Sequence, residues 1–310
     1  MRRRLRWRAA GLAVSAGLLV LGCVSSVAPT SSEKAVAVTM VPVHTEVPAP
    51  EGEPTQTSRT VVPVEVIEPV TFTIVYDNVA SGNSAYNPSL RTDWGFSCVV
   101  ETSEAVVLFD TGGNGTILLD NMEKLDFDPQ AIDVVVLSHI HGDHTGGLKG
   151  LLDAGASPVV YVPASFPESF KATVRAQTEL VEVTDSVEVL PGVHTTGEVG
   201  SSIVEQALVV ETGAGLVVVT GCAHPGVVEM VRRAKEVVDG DVALVMGGFH
   251  LGDAGSAQLE AIIADFRELG LQRVEPCHCT GDLARQMFAE AYGDDCTLAG
   301  VGQRFVIACS

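Results

Sequence analysis

The sequence predicts an α+β fold, a four-layer αββα sandwich with two sheets face to face and helices on both outer surfaces. Three observations predict it. From about residue 69 onward, short β-branched runs alternate with glycine turns and amphipathic stretches. Strands followed by helices occur twice, with no sequence repeat to match. A fully apolar run, "AIDVVVLSH", stops at a histidine cluster, as a buried strand does when it delivers a loop at its C-terminal end. A single doubly wound sheet is the weaker alternative.

Taken in order, "VTFTIVYDN", "GFSCVVET" and "AVVLFDTGG" predict three strands, and "TILLDNMEKLDFD" a helix. After "AIDVVVLSH" come a short helix in "TGGLKGLLDAG", a strand in "PVVYVPAS" and a helix in "PESFKATVRAQ". The second series opens with edge strands in "VTDSVEVLPGVHTTGEV" and a hairpin, "EQALVVETGAGLVVVTGCAH", closed by "GAG". "PGVVEMVRRAKEVVDG" predicts a helix with Pro225 just inside its start and Gly240 past its end. "VALVMGGFH" predicts a strand, "SAQLEAIIADFRELG" a helix with Ser256 as N-cap, and "RVEPCHCTG" a strand and loop. A helix in "DLARQMFAEAYG" and a strand in "QRFVIACS" complete the series.

Residues 1–22 are expected to lie outside this fold. "MRRRLRWR" is a basic stretch, and the 14-residue apolar run after it is short for a membrane span. The run ends in "VLGC", which resembles a bacterial lipobox with Cys23 as the acylated residue. An ordinary signal peptide or an uncleaved anchor is the alternative. Residues 23–68, rich in Pro, Ser, Thr and Glu, predict a disordered tether that carries His44, and residues 69–310 the folded domain. The expectation is an extracytoplasmic lipoprotein held to a membrane through Cys23. Removing residues 1–22, with five arginines and no acidic residue, takes the net charge from −20 to −25. That argues against a nucleic-acid partner, which needs a basic footprint, though local basic patches remain open; the expected partner is a small-molecule substrate. The oligomeric state is left open.

The chemistry is concentrated in "SHIHGDHTGG", residues 138–147. His139 and His141, two apart, project to one side of an extended chain. Gly142 allows the backbone to turn back, so Asp143 and His144 face the same small volume. Three imidazoles and a carboxylate suit a transition-metal ion. The plain alternative is a polar surface loop that happens to be rich in histidine.

His139-x-His141-x-Asp143-His144 resembles the signature of the metallo-β-lactamase superfamily, and "FDTGG", residues 109–113, resembles its upstream motif. "GFSCVVE", "TGCAHPGVVEMVRRAKE", "VMGGFHL" and "PCHCTG" are similar to the branch of 7,8-dihydropterin-6-methyl-4-(β-D-ribofuranosyl)-aminobenzene-5′-phosphate synthase-like proteins. The resemblance spans about residues 70–310. It implies a metallo-β-lactamase fold with two divalent transition-metal ions, Zn foremost and Fe or Mn as alternatives. His139, His141 and His224 would hold one ion, and Asp143, His144 and His278 the other, with Asp110 orienting a ligand from behind. The family's usual third histidine is missing from "TTGEVG", and Cys222 stands near its usual bridging aspartate. His224 is therefore read as the replacement ligand. Cys222 is either a thiolate ligand or a small core residue, and Cys277 and Cys279, two apart, are weighted towards packing, with a further metal site from them as the alternative.

His250, in "GGFHL", has no place in that ligand set. It is read as a substrate-facing residue or proton donor, with a satisfied structural histidine as the alternative; His194 is weighted towards structure. Catalysis is thus expected to rest on Asp143, His250 and Asp110. Six cysteines besides Cys23 permit disulfides, with Cys296 and Cys309 the best pair. The expected activity is that of a metal-dependent hydrolase acting through activated water. One alternative is a ribofuranosyl-aminobenzene phosphate synthase-like transferase, read as joining a ribose phosphate donor to an aminobenzoate, which an extracytoplasmic address disfavours. The other is a non-hydrolytic metal-binding or redox protein.

Overall fold

The computed structural model describes residues 69–81 and 89–307. The leader, the tether, Cys23, His44 and the Cys296–Cys309 pairing lie outside the described residues. Among those described, no helix is long and apolar enough to cross a membrane.

Thirteen strands form two sheets among the described residues. The first has seven: β1 (Val70–Asp77), β2 (Phe96–Glu101), β3 (Val106–Phe109), β4 (Val134–Val136), β5 (Val159–Pro163), β6 (Leu180–Val183) and β13 (Arg304–Ile307), in the order β13-β1-β2-β3-β4-β5-β6. The second has six: β7 (Glu188–Leu190), β8 (Val193–Thr195), β9 (Leu208–Thr212), β10 (Gly215–Thr220), β11 (Val242–Gly248) and β12 (Arg273–Cys277), in the order β12-β11-β10-β9-β8-β7. Phe72, Phe96, Phe109, Val136, Val217, Val219 and Met246 pack between the sheets. Leu118 and Met122 of α1 (Gly115–Lys124), Leu151 of α3 (Leu148–Asp153) and Val174 of α4 (Glu168–Arg175) cover the outside of the first sheet. Met230 of α5 (Val227–Val237), Phe266 of α6 (Ser256–Glu268) and Phe288 of α7 (Asp282–Tyr292) cover the second. Three apolar layers separate four structural layers, so the predicted sandwich is the observed fold.

Local differences have local causes. β4 keeps only three residues, because the chain leaves the sheet ahead of Ser138 to deliver the histidine loop. Gly142 does not reverse the chain; it opens a single helical turn, α2 (Gly142–Thr145), with His141 in the N-cap position. Pro225 lies ahead of α5, whose N-cap is Gly226, and Gly255 caps α6 in place of Ser256.

β10, β11 and β12 run parallel, so their C-terminal ends reach one edge of the sheet. This edge carries most of the chemistry described below. One buried carboxyl, in the middle of β12, concerns stability alone. Glu275 of β12 has one carboxylate oxygen 3.2 Å from Arg273 and the other without a partner. Burial pushes its carboxyl from 4.5 up to about 8. Folding therefore favours the protonated form, and stability is complete below pH 4.5 and falls as pH climbs through about 8. Glu275→Gln does not titrate. It is expected to be more stable than the parent by about 2 kcal/mol at pH 8, with little difference at pH 4, in parallel thermal melts.

Candidate metal centre

Six loops at strand ends converge on one volume. After β4 the chain places His139 and His144 fully buried, with His141 and Asp143 at the rim. His139 Nε2 lies 3.1 Å from His141 Nδ1, and His224 Nε2 lies 3.2 Å from the same atom. This is the predicted His139–His141–His224 set. Across the loop, Asp143 Oδ2 stands 3.5 Å from His144 Nε2 and 3.4 Å from His278 Nε2. This is the predicted second set. Cys222 is not a bystander in the core: its Sγ is 3.2 Å from His144 Nε2 and falls within ligating reach of both sets.

The imidazoles are aimed from behind. Asp110 Oδ2 contacts His144 Nδ1 at 2.7 Å and accepts from the Ser138 hydroxyl at 2.7 Å, while its Oδ1 accepts the Ser138 N–H at 2.7 Å. Ser138 Oγ meets His139 Nδ1 at 2.8 Å, and Asn78 Oδ1 meets His278 Nδ1 at 2.8 Å. With each outer nitrogen engaged, Nε2 turns inward. Asp110 thus stands where the orienting role expected of it would place it, against His144 and Ser138. Gly221 permits this packing, because a Cβ there would sit 2.1 Å from Ser138 Oγ and 2.9 Å from Asp110 Oδ2.

Glu205 and Asn78 are the residues that sequence reasoning missed. Glu205 is fully buried and accepts four backbone N–H groups, those of Gly221, Cys222, Ala223 and His224, at 2.8–3.1 Å. It shapes the turn that presents Cys222 and His224. Its only sequence signal was its place at the head of "EQALVVE", where a carboxylate interrupts an otherwise buried strand entry. Cys279, weighted towards packing with a metal site as the alternative, has its Sγ 3.3 Å from that of Cys222. His194 pairs with Glu211 at 2.9 Å on β8 and lies outside the cluster. His250 does reach the cluster, with its ring 4.2 Å from that of His224. The glycines before it serve the protein's own packing: a Cβ on Gly248 would meet Gly221 O at 2.4 Å and Cys279 Sγ at 2.8 Å.

The electrostatics suit a cation. Burial, reinforced by the neighbouring imidazoles, pushes His139 well below the usual histidine range. Burial, then His250 and His141, brings His224 down to about 4. Both are therefore neutral, as ligands must be. Burial pushes Asp143 up, but the His278 and His144 imidazoles outweigh it and hold the carboxylate ionised. Burial also disfavours charge on His144, and Asp110 more than compensates. His278 Nε2 is buried without a hydrogen-bond partner, although 3.4 Å from Asp143. An inward nitrogen with no partner, beside neutral imidazoles, an ionised carboxylate and a thiol, fits a divalent transition metal.

Comparison with known proteins agrees with this class of site. The profile described as "Metallo-beta-lactamase superfamily" matches residues 95–262, more than half of the chain. The chain belongs to the metallo-β-lactamase superfamily, and with membership comes divalent-metal binding. It is similar to the 7,8-dihydropterin-6-methyl-4-(β-D-ribofuranosyl)-aminobenzene-5′-phosphate synthase of Methanocaldococcus jannaschii. The two are 29% identical over 267 residues, 70% of this chain and 91% of the relative. Among solved structures, Tm1679, a metal-dependent hydrolase of the β-lactamase superfamily, matches with TM-score 0.64 and 26% identity over 77% of this chain and 99% of its own. YhfI of Bacillus subtilis matches at TM-score 0.56 and 16% identity, over 77% and 99%, which shows the fold alone.

These findings correct the expected activity. The curated relative, matched over nearly its whole length, is named a synthase, and hydrolysis is supported only at the level of the superfamily. The transferase alternative fits better than the hydrolase.

Proposed function

We propose that this chain is a ribofuranosyl-aminobenzene phosphate synthase-like transferase that joins two ring-bearing substrates. The observation that carries the proposal is the 29% identity that extends across 91% of the synthase relative. The product in the relative's name contains a reduced pterin, a methyl carbon and an aminobenzene bearing a ribofuranosyl 5′-phosphate. The bond assigned to this chain runs from that methyl carbon to the amino nitrogen. This replaces the sugar-to-aminobenzoate join first read from the branch. The methyl carbon would carry a phosphate-type leaving group: its C–O bond breaks, the C–N bond forms, and the amine gives up a proton.

The site suits such substrates. Divalent ions, Zn foremost, held by His139, His141 and His224 and by Asp143, His144, His278 and Cys222 would supply Lewis acidity toward phosphate oxygens. Trp94, 56% exposed, has its ring 4.9 Å from that of His278. It offers a planar ring a face on which to stack beside the cluster. Asp110 and Asn78 hold the ligand imidazoles in place while substrates come and go.

The test supplies metal-reconstituted protein with 4-(β-D-ribofuranosyl)aminobenzene 5′-phosphate and a 7,8-dihydropterin carrying a diphosphate ester on its 6-methyl carbon. The joined product is expected by mass spectrometry, and Trp94→Ala should raise KM by roughly tenfold with metal content unchanged. Absence of product under conditions where the Methanocaldococcus relative forms it would contradict the proposal.

A further inference from the structure

Three donors near the centre belong to neither of the two ligand sets as a group. Cys222, His250 and Cys279 each stand two residues beyond the end of a strand, β10, β11 and β12 respectively. Because those strands are parallel neighbours, equal offsets bring the three side chains together at one sheet edge. Their ligating atoms all lie within 4.8 Å of one another. The two sulfurs are 3.3 Å apart, well beyond a disulfide bond of about 2.05 Å. We infer that Cys222, His250 and Cys279 form a third cation position, for a thiophilic ion, joined to the other two through the shared Cys222 sulfur.

The chemistry of the donors sets the class of ion. Two thiols and one imidazole favour Zn, Cd or Cu(I) over harder cations, whereas Asp143 and the other imidazoles accept a wider range. Both thiols are buried, and His250 stands exposed at the rim, so the position is open to solvent on one side. A three-donor site with one open side can take a fourth ligand from solvent or substrate. Room for the Cys279 thiol depends on Gly248, whose missing Cβ would stand 2.8 Å from the sulfur. His250 adopts φ 51° and Ala223, beside Cys222, φ 57°. Left-handed backbone at two non-glycine residues costs stability, and a ligand held between the loops would offset it. His250 then acts as a ligand in place of the proton donor expected from the sequence.

The experiment counts metal, thiols and spectra in the full-length protein, and its outcome is independent of whether the transferase proposal holds. After Zn reconstitution, elemental analysis is expected to give three equivalents, one for each donor set. Cys279→Ser and His250→Ala should each lose one equivalent. In the Co(II)-loaded protein both variants should lose part of the thiolate-to-metal absorption. Two equivalents in the parent, or unchanged counts and spectra in both variants, would overturn the inference. So would a thiol titration of the denatured protein showing Cys222 and Cys279 joined as a disulfide. In case the variants fold poorly, the parent itself provides a second measurement. Cd(II) should protect Cys279 from alkylation, with protection reversed by chelator; no protection would equally overturn it.

Discussion

Asp143→Ala is expected to leave the protein folded and nearly without metal in the Asp143–His144–His278 set. Its Oδ2 lies 3.5 Å from His144 Nε2 and 3.4 Å from His278 Nε2, and it is the one ionised oxygen donor of that set. Loss of a residue that merely orients a ligand lowers metal affinity about 10- to 100-fold, so loss of a charged ligand should exceed on the order of 100-fold. The side chain is 21% exposed and α2 is a single turn at the rim, so little packing is lost with it. Elemental analysis after equilibration with limiting Zn measures the first effect. Thermal melts in chelator measure the second, and parent and variant should then nearly coincide. A variant that keeps its full metal content would remove Asp143 from the ligand set.

Glu205→Gln is expected to behave in the opposite way, destabilising the protein whether or not metal is bound. One carboxylate oxygen accepts the N–H groups of Gly221, Cys222 and Ala223, and the other that of His224 at 2.9 Å. Glutamine offers one carbonyl oxygen and one amide nitrogen. In either orientation, at least one buried N–H faces another donor. An unsatisfied buried donor costs about 1–3 kcal/mol, and charge-assisted bonds are lost with it. A stability loss of roughly 3 kcal/mol is expected in chelator-treated protein, read from urea unfolding. Metal affinity should fall as well, because the turn that presents Cys222 and His224 loosens. Stability equal to the parent in chelator would show that the four N–H groups find other acceptors.

What the sequence reveals here follows from how far apart the interacting residues lie along the chain. "SHIHGDH" is local, and a strand end followed by a tight loop places its four donors without distant help. His278 was recognisable for the same reason, as a strand-end histidine. Glu205 was not, because it acts on backbone groups 16–19 residues away, and a carboxylate at the head of a buried strand does not by itself say what it binds. Asn78 lies 200 residues from the histidine that it orients. Cys222 stayed undecided until the packing of β10 against the loop after β4 put its sulfur 3.2 Å from His144. The helix starts at Pro225 and Ser256 were misplaced by one or two residues because glycines with no capping side chain stand at both boundaries. The activity was misjudged for another reason. Activated water is what this kind of site most readily suggests, but a fold fixes where ions sit and leaves the loops to choose the nucleophile.

That choice of nucleophile is open to direct measurement. The metal-loaded protein is given both proposed substrates in water enriched in oxygen-18, and every pterin-containing product is weighed by mass spectrometry. The predicted result is the joined product at its unlabelled mass, with the amino nitrogen bonded to the methyl carbon and no heavy oxygen on that carbon. A 6-hydroxymethyl pterin formed at the same rate with or without the amine would contradict it and return the chain to the hydrolases, with oxygen-18 on the methyl carbon if the C–O bond breaks or on the released phosphate if the P–O bond breaks.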